Sequence, residues 1–304
     1  MRLLAILLVV GLLVGAAAAF AVTERLKLQR SPIYATKVDK LVAPDCRCAR
    51  KHALVGFRLR KPDRVSVAIV NGDDKVVREL LPARPLSAGW HAFFWNGRSD
   101  GRAIVPDGTY KPRVHLSAAH RTILLPNPIL VDTTAPRITV THVNLHVISP
   151  DRDFKHDYLL VRYRATEDVR ALMYANGRRV VKLKRYLPTG DATWPKTFRG
   201  RLRQGRYRIV LRAEDRAGNI GPPTRALVVR VRYIELARHV IRARVGGRFS
   251  VRVSTDSSVY HWRIGSRYGR GRSPRLSLAV GSSGRYKLVV SARGHSDRAA
   301  LIVR

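Results

Sequence analysis

Three aspartates lie close together in residues 149–157, which read SPDRDFKHD. The carboxylates of Asp151, Asp153 and Asp157 could converge on Ca²⁺, a hard cation that takes about six to eight oxygen ligands. Three basic residues are interspersed among the aspartates, and their positive charge opposes a divalent ion. We therefore favour a turn in which the aspartates accept hydrogen bonds from nearby backbone N–H groups, and we keep a calcium site as the alternative. We expect no other cofactor.

The two cysteines, Cys46 and Cys48, are separated by a single arginine. They are too few for a disulfide-rich scaffold or for a zinc site with four cysteine ligands. A disulfide between two residues of one extended strand has strained geometry. Three states therefore stay open: a local disulfide, a bond to another chain, or two free thiols. A redox or heavy-metal role is the least favoured interpretation of the pair.

No pattern of residues indicates an enzyme. His142 and His146 are four positions apart, which along a strand separates them by about 13 Å, too far to share one zinc ion. The sequence contains no nucleophile elbow, no HExxH zinc motif and no phosphate-binding loop. We therefore predict no catalytic residues, and a hydrolase of wall polymers is the least favoured function.

A basic segment that contains a tyrosine is the strongest candidate for binding. Its members are Arg263, Arg267, Tyr268, Arg270, Arg272 and Arg275. Arginines interleaved with Tyr and Gly suit contacts with phosphate groups and stacking. The whole chain has 58 Lys and Arg against 21 Asp and Glu, a net charge of +37, which favours polyanionic partners. The alternative is a solvated hairpin loop, with the charge spread over ordinary surfaces.

Residues 3–22 are almost wholly apolar, and about 20 such residues suffice to span a bilayer as a helix. We predict that residues 1–30 hold an uncleaved transmembrane anchor that tethers the chain to a membrane. A signal peptide cleaved after Ala21, and hence a secreted protein, is the alternative. Basic residues are more numerous after the apolar run than before it, which by the positive-inside rule opposes export. We nevertheless predict extracytoplasmic domains, because the remaining sequence looks like that of extracellular ones.

After the apolar run, short segments alternate apolar and polar residues, which is typical of strands with one buried face. Three of these segments follow a Gly-x-Tyr step, at residues 108–110, 205–207 and 284–286. In the first two copies an Asn-Gly pair, at residues 71–72 and 176–177, predicts a tight hairpin turn with positive φ. The repeat of about 70–100 residues has the size of a small β-sandwich.

Residues 95–110, WNGRSDGRAIVPDGTY, resemble the signature of the immunoglobulin-like domain in FlgD-like flagellar hook-capping proteins. The positions that keep this signature are Trp95, Gly97, Arg98, Pro106, Gly108 and Tyr110. The resemblance implies an immunoglobulin-like sandwich that binds or scaffolds. In such folds Trp95 lies in the core and Tyr110 at the edge of the sandwich. We do not expect a flagellar role, because no polar helical region precedes the motif.

Two further segments resemble bacterial immunoglobulin-like domains. Residues 213–219, AEDRAGN, are similar to an A-x-D-x-A-G-N hairpin, and residues 149–157 resemble an S-P-N-G-D-G-x-x-D loop that opens related domains. A helical turn is expected within residues 235–244. The predicted immunoglobulin-like domains occupy residues 36–132 (FlgD-like), 136–233, and, from the repeat alone, 239–304.

These features predict an all-β, non-catalytic protein of the cell envelope, made of tandem immunoglobulin-like sandwiches after the apolar segment. Its expected partners are anionic wall or surface polymers, outer lipid head groups, or other envelope proteins. Nucleic acid is not expected as a partner, because export would separate the protein from the nucleic acids of the cytoplasm. The main alternative is a purely structural stalk or assembly module whose charge is incidental.

Overall fold

The computed structural model describes residues 10–21, 31–195, 202–272 and 274–304. Residues 10–21 form a helix with exposed side chains. Within the described ranges, no helix combines the length and the apolar character needed to cross a membrane. The predicted span, residues 3–22, lies partly outside the described residues, as does most of the predicted anchor segment 1–30.

From Ile33 onward the regular secondary structure of the described chain is β-strand, apart from a single 3-10 turn at Ala49–Lys51, which confirms the predicted all-β class. It divides into two compact units, Met1–Thr133 and Thr134–Arg304. Buried hydrophobic side chains form three separate cores, one in the first unit and two in the second. Each core lies between sheets, so the chain contains tandem β-sandwiches. The boundaries given above for the individual domains stay a prediction.

The first unit packs a short sheet against a longer one. The short sheet contains β1 (Ile33–Val38), β3 (Ala53–Leu59) and β6 (Gly89–Trp95), in that order. The longer sheet has the order β2 (Leu41–Val42), β9 (Ile129–Val131), β7 (Gly108–Leu116), β4 (Asp63–Val70) and β5 (Val76–Leu86), with β8 (Arg121–Leu124) beside β7. β2 runs parallel to β9, whereas the other pairs are antiparallel.

The second unit begins with a sandwich whose two layers share one long strand, β12 (Leu159–Ala175). The first half of β12 pairs with β10 (Ile138–Val143) and β14 (Leu187–Trp194). Its second half pairs with β13 (Arg178–Lys182) and β15 (Gly205–Glu214). β16 (Leu227–Val231) and the parallel β11 (Val147–Ile148) complete the second layer.

The other sandwich of the second unit has two distinct sheets. One contains β17 (Ile234–Leu236), β19 (Arg248–Thr255) and β22 (Arg275–Ala279). The other has the order β18 (Val240–Ala243), β24 (His295–Val303), β23 (Gly284–Ala292), β20 (Tyr260–Ile264) and β21 (Arg267–Gly271). Residues 235–244 therefore form parts of two strands, and the expected helical turn is wrong. The β-branched pair Val240 and Ile241 suits a strand, and Ile241 is buried beside β24.

The three sandwiches repeat one topology. In each, an early short strand pairs parallel with the last strand, while the remaining pairs within the sheets are antiparallel. The inner positions are the apolar positions of the alternating segments, such as Val65, Val67 and Ile69 in β4. This arrangement is the immunoglobulin-like sandwich that the sequence predicts.

Each sandwich also contains a tyrosine corner at the Gly-x-Tyr repeat. The tyrosine hydroxyl donates to the main-chain carbonyl four residues earlier, at 2.8 Å for Tyr110, 2.9 Å for Tyr207 and 3.2 Å for Tyr286. The glycine of each repeat has φ between +147° and +154°, a conformation that L side chains rarely adopt. The recurring triplet therefore marks one structural position, the start of the same strand in each sandwich.

Candidate functional site

A charged surface covers the outer face of the five-stranded sheet in the third sandwich. Along β20 the side chains alternate: Tyr260 and Ile264 are buried, while His261 and Arg263 are exposed. Residues directly opposite one another in a sheet point to the same side, so the strand register identifies the other members of the outer face.

Six exposed cationic side chains occupy this outer face, which we call the cationic face. They are Arg242, Arg263, Arg270, Arg285, Lys287 and Arg298. The cationic face also carries Tyr268, which is 82% exposed and lies opposite Arg263. No Asp or Glu occupies an outward position on these five fully described strands. In the described part of the chain, none of the six takes part in an ion pair.

Only part of the basic segment predicted from the sequence lies on the cationic face. Arg263, Tyr268 and Arg270 do. Arg267 lies opposite Ile264, on the other side of the sheet, and donates to the carbonyl of Ala279 at 2.9 Å.

The remaining two members of the predicted segment lie elsewhere. Arg272 is exposed just beyond β21, and Arg275 belongs to the opposite sheet, where it faces Arg252. The prediction missed Arg242, Arg285, Lys287 and Arg298. The alternation of apolar and polar residues along β18, β23 and β24 indicates these four positions, whereas a contiguous basic run does not contain them.

Two glycines position the edge strand β21 on this sheet. A Cβ at Gly269 would lie 2.7 Å from the ring of Trp262, and a Cβ at Gly271 would overlap the ring of Tyr260. The two rings therefore lie against the backbone of β21 on the inner side. Because the inner side is filled in this way, Tyr268 and Arg270 project outward.

The second sandwich differs at the equivalent face. There Glu214 lies between Arg170, at 3.1 Å, and Lys182, at 2.7 Å, and its side chain is only 13% exposed. One partly buried carboxylate thus pairs with two cations of that face and offsets one of their two positive charges. The third sandwich has no such acid on the face, so its cations are available to an external anion.

The predicted aspartate turn exists, and Asp157 is its centre. The two carboxylate oxygens of Asp157 accept the backbone N–H groups of Arg152, at 2.9 Å, and Phe154, at 2.8 Å. Asp153 accepts the N–H of Lys155 at 2.9 Å. These bonds are those of the turn favoured from the sequence, and they commit both oxygens of Asp157 to the loop.

A different set of three carboxylates is brought together. Asp151, Asp153 and Asp256 each place an oxygen within 4.8 Å of the other two, and we call them the carboxylate cluster. Burial, followed by the negative charges of Asp153 and Asp256, raises the pKa of Asp151 to about 6, against the opposing charge of Arg293. Burial also raises the pKa of Asp256, although a hydrogen bond from Ser149 opposes the shift. The cluster therefore joins residues of the second and third sandwiches.

The remaining predicted residues have structural surroundings. Cys46 and Cys48 form a disulfide with each other. Trp95 is buried, donates its ring N–H to the carbonyl of Arg98 at 2.9 Å, and packs edge-on to Tyr110 at 5.2 Å between centroids.

The other signature positions surround Trp95 and Tyr110 at one corner of the first sandwich. Arg98 pairs with Asp45 at 3.1 Å, and the carbonyl of Pro106 accepts the tyrosine-corner bond. Gly97 and Gly108 have positive φ, at 69° and 154°. The signature thus describes a corner of the first sandwich.

No protein-family model and no curated protein matches this sequence. Among solved structures, the ligand-binding domain of human OSCAR is similar over 65% of this chain and 96% of its own, at 14% identity and a TM-score of 0.29. FlgD from P. aeruginosa is similar over 38% of this chain and 84% of its own, at 22% identity and a TM-score of 0.23. A structure of a 1.5-MDa bacterial ice-binding adhesin covers 90% of this chain and 99% of its own, at 12% identity and a TM-score of 0.31.

Proposed function

We propose that this chain is a non-catalytic, exported binding protein, and that the cationic face of its third sandwich binds an anionic polymer with phosphate or uronate groups. The observation that carries the proposal is the set of six outward cations without an outward acid. Guanidinium groups bind phosphate and carboxylate oxygens in a bidentate manner. Neighbouring strands are about 4.8 Å apart, so several groups of one flexible polymer can be contacted at once.

We place binding on the third sandwich because the fully described strands of its five-stranded sheet carry no acid on their outer face. A net charge of +37 alone would attract polyanions weakly to many surfaces. On the second sandwich, Glu214 holds Arg170 and Lys182 in ion pairs, so one of these two positive charges is already offset. Tyr268, at 82% exposure, adds an aromatic surface beside Arg263 for stacking on a sugar or ring.

Export and the domain type are part of the same proposal. The apolar residues 3–22 supply a membrane anchor or a signal, and the disulfide between Cys46 and Cys48 is typical of an oxidising compartment. The signature in residues 95–110 supports a FlgD-like first domain. Protease added to intact cells should digest the sandwiches; full protection would contradict export.

Binding is tested with the purified full-length chain and three immobilised polymers: polyphosphate, polygalacturonate and neutral dextran. We expect retention on one or both anionic polymers and none on dextran, with affinity that falls as salt rises. The variant R263Q/R270Q removes two charges from the cationic face, and we expect it to weaken binding about tenfold or more, since each charge-assisted contact is worth about 1 kcal/mol.

The matched control is R248Q/R252Q, which removes the same charge from exposed positions of β19, on the opposite sheet. We expect this control to change affinity less than about twofold. Equal losses in the two variants would show that net charge acts without a specific face. Unchanged binding in R263Q/R270Q would reject the cationic face, and would favour a structural stalk whose charge is incidental.

A further inference from the structure

The carboxylate cluster contains buried oxygens that the protein leaves without hydrogen bonds. The side chain of Asp256 is 10% exposed; its Oδ1 accepts the Ser149 hydroxyl at 3.0 Å, and its Oδ2 is buried with no hydrogen-bond partner in the described residues. Oδ1 of Asp151 is also buried and has no hydrogen-bond partner among the described residues. An unpaired buried carboxylate oxygen is costly, so both oxygens point to a missing positive group.

Neither His156 nor Arg293 fills this role. Nδ1 of His156 lies 3.8 Å from Oδ2 of Asp256, and a guanidinium nitrogen of Arg293 lies 3.8 Å from Asp153. Both distances exceed those of hydrogen bonds. The side chain of Asp153 is only 4% exposed, so water does not screen its charge well. The three carboxylates thus repel one another, and the approaches of Arg293 and His156 offset this repulsion only in part.

The spacing of the cluster fits a calcium ion. Oxygens that bind Ca²⁺ lie about 2.3–2.6 Å from it, so two ligands on opposite sides of the ion are about 5 Å apart. One oxygen from each of the three carboxylates lies within 4.8 Å of the other two, which agrees with this geometry. The donors are all oxygens and no thiolate is present, which favours a hard cation over zinc or copper. The ligands lie on an irregular loop and a turn, and calcium tolerates such flexible geometry better than magnesium does.

A surface cleft of about 290 Å³ extends to Asp256, one of the three carboxylates. Ser149, His156 and Arg232 also line this cleft, so an ion would approach the cluster from the Asp256 side, past two basic side chains. Main-chain carbonyls of the loop and water molecules would complete the coordination shell, as they do in most calcium sites.

We propose that Asp151, Asp153 and Asp256 bind one Ca²⁺, which joins the second sandwich to the third. The site differs from the aspartate set suggested by the sequence, because Asp157 is committed to the loop and Asp256 takes its place. Two of the ligands come from the loop before β12, and the third follows β19. Calcium would therefore stabilise the pair of sandwiches as one body, and this role is independent of polymer binding on the cationic face.

The test uses full-length chain treated with EGTA, dialysed, and titrated with CaCl₂ in a calorimeter at neutral pH. We expect one ion per chain with a Kd on the order of 10⁻⁴–10⁻³ M, as in other exported calcium modules. About 5 mM CaCl₂ should raise Tm by about 2–6 °C. MgCl₂ at the same concentration should bind at least tenfold more weakly, since Mg²⁺ demands a rigid octahedral site.

Two variants, D151N and D256N, should each weaken calcium binding at least tenfold. In EGTA they should fold as well as the parent or better, because each removes repulsion from the empty cluster. This second measurement separates loss of a ligand from loss of fold. The matched control D191N removes an exposed carboxylate of the same unit and should bind calcium like the parent. No saturable binding, no rise in Tm, equal affinity for Mg²⁺, or undiminished binding by D256N would overturn the proposal.

Discussion

The Gly-x-Tyr step recurs in the sequence because one hydrogen bond recurs in the structure. At each copy the tyrosine hydroxyl reaches back four residues to a carbonyl, and the glycine provides the positive φ that lets the chain enter the strand. Of the three tyrosines, Tyr110 is the most buried, and burial raises its pKa above the ordinary value for tyrosine. Its hydroxyl is therefore the one whose loss should cost most.

We expect Tyr110→Phe to lower the free energy of unfolding of the first unit by about 1–2 kcal/mol, because the carbonyl of Pro106 then loses its partner in a part-buried corner. Urea denaturation followed by tryptophan fluorescence measures the loss. Tyr34→Phe, at a residue that is 36% exposed, is the control and should change little. Equal effects of the two substitutions would contradict a structural role for the corner.

A second effect at the residue scale concerns Gly221. A Cβ at this position would overlap the carbonyl oxygen of Pro136, a backbone atom that cannot rotate away. We expect Gly221→Ala to cost at least about 2 kcal/mol, by the same strain as overpacking a core. Gly281→Ala, where a Cβ would meet nothing within 4 Å, should cost far less when both are measured by thermal unfolding. A neutral Gly221→Ala would show that the Pro136 segment moves freely.

At the scale of strands, the alternating pattern predicted the all-β class because one face of nearly every strand is buried. The turns were harder to predict. Asn176 and Gly177 both have positive φ, as expected of an Asn-Gly hairpin, but in the first copy the positive φ falls on Asp74. There the side chain of Asn71 accepts the N–H groups of Asp73 and Lys75 and forms a longer turn. Side-chain hydrogen bonds therefore overrode the dipeptide preference.

The outward face of a strand was also poorly predicted, since it depends on pairing. Sequence alone showed a contiguous basic run, whereas the cationic face draws on five strands whose order is set by the fold. Arg275 illustrates the limit: it is close to Arg270 in the sequence but lies in the other sheet. Alternation within β23 would have identified Arg285 and Lys287, but not which strands lie beside them.

One strand-level prediction concerns the half-buried ion-pair network around Glu214 on β15. We expect Glu214→Gln to destabilise the second unit by about 1–3 kcal/mol, because Arg170 and Lys182 lose their shared ion-pair partner in a half-buried layer. Chemical denaturation at neutral pH measures the loss. A gain in affinity for polyphosphate should accompany it, because two cations become available on that face.

The control for this network is the exposed pair of Arg162 and Asp191. The hydrogen bond that Arg162 donates to the carboxylate of Asp191 holds the pKa of Asp191 below its usual value. Because the pKa of Asp191 is lower in the folded state, its ion pair contributes to stability above about pH 4, the pKa of an unfolded aspartate. This contribution is lost as the pH falls through the pKa of Asp191 in the folded state. Because solvent screens the pair, D191N should cost much less than E214Q at neutral pH. The reverse order would contradict the importance of burial.

For the second unit as a whole, sequence analysis identified two of the three clustered aspartates and missed the third. Asp256 belongs to a different sandwich, and no local spacing connects it to Asp151 and Asp153. Contacts between the sandwiches are made by residues with ordinary sequence surroundings. Tyr233 packs in the core of the second sandwich, and its ring stacks on that of His295 in β24 of the third, at 3.5 Å between centroids. Such sites become visible only after both sandwiches are folded.

The joint between these two sandwiches depends on the side chain of Gln204. Its Oε1 accepts two successive backbone N–H groups, from Tyr233 at 2.8 Å and from Ile234 at 3.1 Å. These residues connect β16 to β17, so one amide oxygen fixes the chain where it passes from one sandwich to the next. Gln204→Ala would leave both donors without this acceptor in a part-buried position, at a cost of about 1–3 kcal/mol.

We expect Q204A to uncouple the two sandwiches, so that calorimetry resolves two unfolding transitions where the parent shows one for this unit. Hydrogen exchange at the amides of Tyr233 and Ile234 should accelerate at least tenfold. Q204E retains an acceptor oxygen and should preserve amide protection. Calcium should partly restore coupling in Q204A, because the carboxylate cluster joins the same two sandwiches at other residues. If Q204A unfolds in one transition with unchanged exchange, the stacked rings of Tyr233 and His295 hold the joint without Gln204.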